Sequence, residues 1–123
     1  MWTYSQKSGE LITPQGVLLG HGYSGHGPGL DNPLLQNIHN VGPIPEGQWT
    51  VGAFFDDPGG KGPVVAHLTP CAGTETFGRS GFMVHGAHIG ETEPLSSDGC
   101  IILAHALRVA IRDSGDSALM VTG

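Results

Sequence analysis

The 123-residue sequence has few charges, only two cysteines and no long apolar run. Charged residues make up 13% of the chain, and 5 basic residues stand against 11 acidic ones, for a net charge of −6. This balance excludes the Lys/Arg stripe with which proteins bind nucleic acids and anionic membranes. The longest apolar run, residues 100–104, is far shorter than the roughly 20 residues that a membrane-spanning helix needs. Two cysteines also exclude a scaffold of several disulfides.

Turn-forming residues are abundant, with 21 glycines and 9 prolines. Between them lie short apolar segments with the alternation typical of β-strands. Predicted strands cover residues 2–6, 10–13, 17–19, 48–51, 64–68, 82–85 and 118–122, the first three forming a meander. A glycine-rich segment covers residues 20–29, and a mobile hairpin loop is expected at residues 56–63. We therefore expect one domain, residues 1–123, of the mainly β class with one helix, built as a compact sandwich or small barrel.

The one predicted helix follows residue 103. Apolar residues recur there at helical spacing, and basic residues occupy the opposite, solvent-facing side. Gly115 should end the helix, because glycine adopts the left-handed conformation common at this position. The apolar positions are Leu103, Leu107, Ala110 and Ile111, and the basic ones are His105, Arg108 and Arg112.

A histidine and a cysteine fifteen positions apart form the strongest candidate for chemistry. His85 ends a predicted strand, and Cys100 follows Gly99. A loop of this length can bring the thiol and the imidazole together. Thiolate catalysis needs such a base, because the free thiol ionises only near pH 8.5. The nearby helix N-terminus would add weak support to the anion, and the backbone N–H groups at Gly99 and Cys100 are candidate oxyanion donors.

Other interpretations of these residues remain open. Cys100 is equally compatible with an inert buried thiol, or with a disulfide to Cys71. A zinc site formed by His85, His88 and Cys100 is another alternative. Such a site would lack a recognisable fourth protein ligand. A papain-like peptidase or amidase with the same Cys/His pair is a further alternative, although in that fold the cysteine usually precedes the histidine. The last alternative is a binding module without catalytic activity. We expect no metal and no cofactor.

Several motifs resemble the L,D-transpeptidase (YkuD-type) superfamily. His85–Gly86 followed by Ser97-Asp98-Gly99-Cys100-Ile101 is similar to its signature of His-Gly and then Ser/Thr-His-Gly-Cys. The segment 42–51 resembles the strand entry of that family. The closest likeness is to a compact branch of type VI secretion effectors, through Tyr23-Ser24-Gly25-His26-Gly27 and residues 79–86 and 99–102. Asp98 and Ile102 depart from the general family and suit this branch better.

The resemblance implies a compact L,D-transpeptidase-like fold and peptidoglycan chemistry. Such enzymes cleave the bond between diaminopimelate and D-alanine in stem tetrapeptides through a cysteine thioester. Water then gives L,D-carboxypeptidase activity, and an amine gives exchange or L,D-transpeptidation. Cys100 would be the nucleophile, His85 the general base, the Gly86 carbonyl the group that orients the imidazole, and Gly99 an oxyanion N–H donor.

Six further residues are candidates for substrate binding. Arg79 would bind a substrate carboxylate through its planar guanidinium, or alternatively form a surface ion pair. Asp98 would support an imidazole or cap a turn. The remaining candidates are Tyr23, Ser24, His26 and Ser97, for which a structural role in a glycine-rich loop is the alternative.

The resemblance also implies partners and a location. The partners are peptidoglycan stem peptides and a cognate immunity protein, with no nucleic acid and no membrane insertion. The first five residues lack the basic and apolar regions of a signal peptide. We therefore expect synthesis in the cytoplasm and export by a type VI secretion system into the periplasm of a target cell.

Overall fold

The computed structural model describes residues 1–58, 60–87 and 97–123. It is mainly β with one helix, which confirms the predicted fold class. The strands are β1 (Trp2–Ser5), β2 (Glu10–Ile12), β3 (Leu18–His21), β4 (Tyr23–Ser24), β5 (Gly47–Val51), β6 (Phe55–Asp57), β7 (Gly62–Pro70), β8 (Met83–His85), β9 (Ile101–Ile102) and β10 (Ala118–Thr122). The helix α1 spans His105–Ser114, and two 3₁₀ turns span Gly27–Gly29 and Pro33–Leu35.

The strands form one strongly curved sheet. Their order is β3-β2-β1-β10-β5-β7-β8-β9-β4, with β6 paired to β7. The two end strands, β3 and β4, are separated in the chain by Gly22 alone, so the sheet comes close to a closed barrel. The predicted meander of the first three strands is present as two antiparallel pairs.

The core lies inside this curved sheet. Trp49 is fully buried, packs edge-on against Phe82 with 5.1 Å between ring centroids, and donates its indole N–H to the Pro45 carbonyl at 3.0 Å. The helix covers one side of the core with Ile111 buried. Gly115 ends it in the left-handed conformation at φ 71°, as predicted. Among the described residues, no helix has the length and apolar character needed to cross a membrane.

Arg108 corrects one prediction about the helix. The spacing placed it on the solvent side, but the structure buries it to 7% exposure. Its Nη1 group donates hydrogen bonds to the carbonyls of Pro63 at 2.8 Å and Val64 at 3.3 Å. A long guanidinium side chain reaches such acceptors across the sheet, and helical spacing cannot reveal this.

Three short strands were absent from the prediction. β6 and the start of β7 occupy part of the expected loop 56–63, and they pair with each other as a hairpin. β4 lies within the glycine-rich segment, and β9 directly follows Cys100. β4 and β9 pair with each other, so they carry the glycine-rich segment to the cysteine.

Candidate active site

Two neighbouring parallel strands bring His85 and Cys100 together. In the register of β8 and β9, Val84 pairs with Ile101, and both side chains point into the core. Side chains alternate along a strand, so His85 lies on the opposite face. His85 and Cys100 line the same cavity, of about 230 Å³. Its other lining residues are Asn40, Lys61, Ser80, Gly81, Phe82, Met83 and Asp98.

The imidazole of His85 is held by its own neighbour in the chain. The side chain is fully buried, and Nδ1 lies 2.7 Å from the Gly86 carbonyl oxygen. A carbonyl oxygen only accepts hydrogen bonds, so Nδ1 carries the proton and donates it. The neutral ring therefore has its basic lone pair on Nε2, the nitrogen that a general base in this position needs.

The thiol of Cys100 is half-buried and lies 3.9 Å from the Gly81 carbonyl. Burial raises its pKa above the ordinary value, while a hydrogen bond from the Met83 backbone and the charge of Lys61 act in the opposite direction. The protonated thiol is therefore the resting form near neutral pH. The helix α1 begins beyond β9, and its first residues line a different cavity from Cys100, so the expected support of the thiolate by the helix stays a prediction.

Ser97 organises the segment before the cysteine. Its hydroxyl is fully buried, donates to the Cys100 carbonyl at 2.6 Å, and accepts from Gly25 N–H at 2.9 Å and Gly99 N–H at 3.1 Å. The Gly99 amide, predicted as an oxyanion donor, is therefore already bonded inside the loop. The Cys100 N–H is the other backbone candidate for that role.

Ser24 and His26 hold the same segment from the glycine-rich side. The Ser24 hydroxyl donates to the Gly99 carbonyl at 3.1 Å and accepts from Ile44 N–H at 2.8 Å. Nδ1 of His26 lies 2.8 Å from the Ser97 carbonyl, to which it donates. Both side chains thus position the segment before Cys100 by hydrogen bonds to its backbone.

Asp98 and Tyr23 differ in their relation to the cysteine. The Asp98 carboxylate is 73% exposed, lines the cavity, and lies 3.4 Å from Nδ1 of His26. Tyr23 is buried in β4, pairs with Ile102 and lines a second cavity together with Gly86.

Arg79 contacts backbone carbonyls of the protein. Only 6% of it is exposed, and its Nη2 group donates to the carbonyls of Gly42 at 2.9 Å and Asp98 at 3.4 Å. Nη1 donates to Pro43 at 2.8 Å and to Gln36. Both terminal nitrogens are thus engaged within the protein. Arg79 thus links segment 36–43 to Asp98, and it also lines a small cavity beside Asp98, so its predicted role as a substrate ligand stays a prediction.

Gly99 must be glycine because of this packing. Its φ is +127°, a conformation that side chains disfavour, and a Cβ there would overlap the Arg79 guanidinium. The Arg79 guanidinium also lies over the Phe82 ring, 5.1 Å from its centroid. The backbone before Cys100 is therefore fixed by a buried cation that the glycine allows to approach.

Lys61 is the functional candidate that sequence reasoning missed. It lines the cavity with His85 and Cys100, and its charge lowers the pKa of the thiol. The sequence signal was available, because Lys61 is one of only five basic residues. Lys61 lies in the segment that is predicted to be a mobile loop. The β6–β7 hairpin places it at the site. Asn40 and Ser80 also line the cavity and were not predicted.

The alternative sites find no support among the described residues. Cys71 and Cys100 are both free thiols, and Cys71 lies 3.6 Å from the Thr50 hydroxyl. Within residues 1–58, 60–87 and 97–123, no cluster of three metal-ligating side chains occurs. His88 of the zinc hypothesis lies outside the described residues.

Comparison with known proteins identifies one family. The Tlde1 domain matches residues 20–118, a span that contains both His85 and Cys100. No curated protein matches the chain, and no solved structure does. The matched span covers well over half of the sequence. The chain therefore belongs to the Tlde1 domain family, a family of type VI secretion effectors that act on peptidoglycan.

Proposed function

We propose that this domain is a cysteine enzyme of the L,D-transpeptidase type that cleaves peptidoglycan stem tetrapeptides between diaminopimelate and D-alanine. L,D-carboxypeptidase activity comes first, and exchange or cross-linking by an amine is the second outcome of the same intermediate. The observation that carries the proposal is the shared cavity of His85 and Cys100, in which Nδ1 of His85 is bonded to the Gly86 carbonyl.

The first half of the reaction forms a thioester. Because burial raises the pKa of Cys100, the thiol must lose its proton as it attacks. Nε2 of His85 accepts that proton while Sγ bonds to the carbonyl carbon of the scissile bond. The carbon–nitrogen bond then breaks, and the same nitrogen returns the proton to the leaving D-alanine amine. In the second half, water adds to the thioester and releases the shortened peptide and the thiol.

Stabilisation of the developing oxyanion falls to the segment that precedes the cysteine. The Gly99 N–H is bonded to Ser97, so the proposal assigns the oxyanion to the Cys100 N–H. The carbonyls and amides of residues 97–100 are tied to Ser24, His26, Ser97 and Arg79. Rigid support of this kind matters because a displaced donor loses most of its effect on the transition state.

Lys61 supplies positive charge within the cavity. Its ammonium group would attract a carboxylate of the stem peptide, the role first assigned to Arg79. Lys61 thus has two effects on the reaction: it draws an anionic peptide to the thiol, and it lowers the pKa of that thiol.

Mass spectrometry of a disaccharide-tetrapeptide tests the proposal. We expect the wild-type protein to remove one alanine, and Cys100→Ala to remove none. Cys71→Ala is the matched control, because it deletes the other free thiol and should retain full activity. His85→Gln should lower kcat by two orders of magnitude or more, in keeping with the loss of a general base.

Two results would contradict the proposal. The first is an unchanged tetrapeptide with folded wild-type protein whose thiols are reduced. The second is alanine release by Cys100→Ala at the wild-type rate. A crosslinked dimer or a D-amino-acid-substituted product would keep the cysteine mechanism and place transpeptidation or exchange first.

The proposed setting is the periplasm of a target cell, reached by type VI secretion. A toxin of this kind requires a cognate immunity protein in the producing lineage, and the net charge of −6 favours a partner with a basic patch. Co-purification with a candidate immunity protein and loss of alanine release in the complex would support this part of the proposal.

A further inference from the structure

A second cavity is lined by Gly86, the neighbour of His85, and not by Cys100. Its volume is about 490 Å³, and Gly86, the residue that orients His85, forms part of its wall. None of its described lining residues is acidic, although the chain as a whole is acidic. The lining residues are His21, Gly22, Tyr23, Gly86, Ala87, Ile102, Leu103, Ala104, His105 and Arg108.

Arg108 lines this cavity, and its guanidinium has hydrogen-bond donors without a partner among the described residues. The hydrogen bonds that it makes within the described part of the chain both come from Nη1, to Pro63 and Val64. Nε is buried and has no partner among the described residues. Nη2 lies against Gly86, where a Cβ would come within 2.8 Å of it. The edge formed by Nε and Nη2 is one that binds both oxygens of a carboxylate.

The first turn of α1 borders the same cavity and is uncapped. Ala104 stands at the N-cap position, where it offers no side-chain acceptor, and the first turn contains no acidic residue. The N-terminal N–H groups of a helix carry partial positive charge and favour anions. His105 and His21 lie on the cavity wall, and within the described part of the chain their ion-pair partner is Glu10, 3.8 Å from Nε2 of His21.

We propose that this second cavity binds a carboxylate of the peptide substrate, between the Nε–Nη2 edge of Arg108 and the N-terminus of α1. The proposal rests on the proposed function, which supplies a peptide with several free carboxylates. His85 lines the first cavity and Gly86 lines the second, so a peptide that reacts at Cys100 would be held at two neighbouring positions of the chain. Arg108 and His105 are then residues that determine specificity, and neither takes part in proton transfer.

A pair of charge-matched variants tests this site by equilibrium binding. His105→Glu places a negative charge in the cavity wall, and Ala106→Glu places the same charge in the same helical turn but outside the lining. Both are made in a Cys100→Ala background, so that binding is measured without turnover. We expect His105→Glu to weaken binding of the tetrapeptide at least about tenfold, and Ala106→Glu by less than about twofold. Arg108→Lys, which keeps a cation for Pro63 and Val64 but lacks the fork, should also weaken binding.

Amidated peptides identify which carboxylate is bound. Three tetrapeptides are compared, each amidated at one position: the terminal alanine, the free carboxylate of diaminopimelate, or that of D-glutamate. The peptide that lacks the bound carboxylate should bind weakly and should lose nothing further with His105→Glu.

Other outcomes overturn the inference without touching the proposed reaction. Equal effects of His105→Glu and Ala106→Glu would do so, and so would unchanged sensitivity to His105→Glu in all three amidated peptides. Failure of the tetrapeptide to bind the Cys100→Ala protein would overturn the inference as well, and alanine release by the wild-type protein then decides the proposed reaction separately. Conversely, the wild-type protein could release no alanine while tetrapeptide binding still depends on His105. This result would contradict the proposed reaction and support the carboxylate site.

Discussion

Replacement of Ser97 by alanine separates a structural role of its hydroxyl from a role in substrate binding. Ser97 was a candidate substrate ligand from the sequence, but its fully buried hydroxyl makes three hydrogen bonds within the protein. Ser97→Ala removes the hydroxyl oxygen. Two N–H donors and one carbonyl then lose that hydrogen-bond partner. We therefore expect the main effect to be on folding stability.

The magnitude follows from the number of groups left unpaired. Each neutral hydrogen bond contributes about 1 kcal/mol, and a buried group left without a partner costs about 1–3 kcal/mol. Loss of all three bonds should lower the free energy of unfolding by about 3 kcal/mol. This is a large fraction of the roughly 5–15 kcal/mol that stabilises a typical domain. It corresponds to a fall in Tm of about 10 °C for a chain of this size.

Urea unfolding followed by tryptophan fluorescence measures this loss, because Trp2 and Trp49 are both buried. Ser117→Ala is the matched control, because the Ser117 side chain is exposed and makes no hydrogen bond with the described residues. Its effect on the free energy of unfolding should stay within about 0.5 kcal/mol. A loss below about 1 kcal/mol for Ser97→Ala, accompanied by a raised KM, would refute the structural role and return Ser97 to substrate binding.

Three further changes test the electrostatics and backbone of the site. Lys61→Met should raise the pKa of Cys100 and Asp98→Asn should lower it, because the two charges act on the thiol in opposite directions. The pH dependence of the iodoacetamide alkylation rate, in a background without the Cys71 thiol, measures both pKa shifts. Two shifts of the same sign would contradict the prediction. Gly99→Ala should lower stability by about 2 kcal/mol or more in urea unfolding, since strain at positive φ adds to overlap with a guanidinium. Gly115 also has a positive φ but has open space around it, so Gly115→Ala should lower the free energy of unfolding by about 1 kcal/mol. An equal loss of stability at both glycines would refute the overlap at Gly99.

The regular elements could be predicted because their signals are local. Alternation and turn residues placed the strand at residues 118–122 with the bounds that the structure has, and glycine placed the end of the helix at Gly115. The short strands β4, β6 and β9 have two or three residues each, too few for a periodic signal. Their conformation depends on partners distant in the chain, such as the pairing of Tyr23 with Ile102.

The side-chain roles in the site were harder to predict because their acceptors are backbone carbonyls. Every residue carries a carbonyl, so the sequence does not reveal that Arg79 reaches Gly42 and Pro43, nearly forty positions earlier. Residue type indicated that a guanidinium near a cysteine binds oxygen atoms. Which oxygen atoms it binds is decided by the fold. The same holds for Gly99, whose amide is bonded to a serine hydroxyl two residues away.

Most of the basic residues lie near the candidate active site. Arg79 and Lys61 lower the pKa of the Cys100 thiol, and Arg108 lies against Gly86 on the other side of His85. Three of the five basic side chains thus surround the candidate active site of a chain with net charge −6. Burial lowers the pKa of both arginines, yet a guanidinium remains protonated at physiological pH, so these charges are permanent. These positive charges would attract the carboxylates of the proposed stem-peptide substrate.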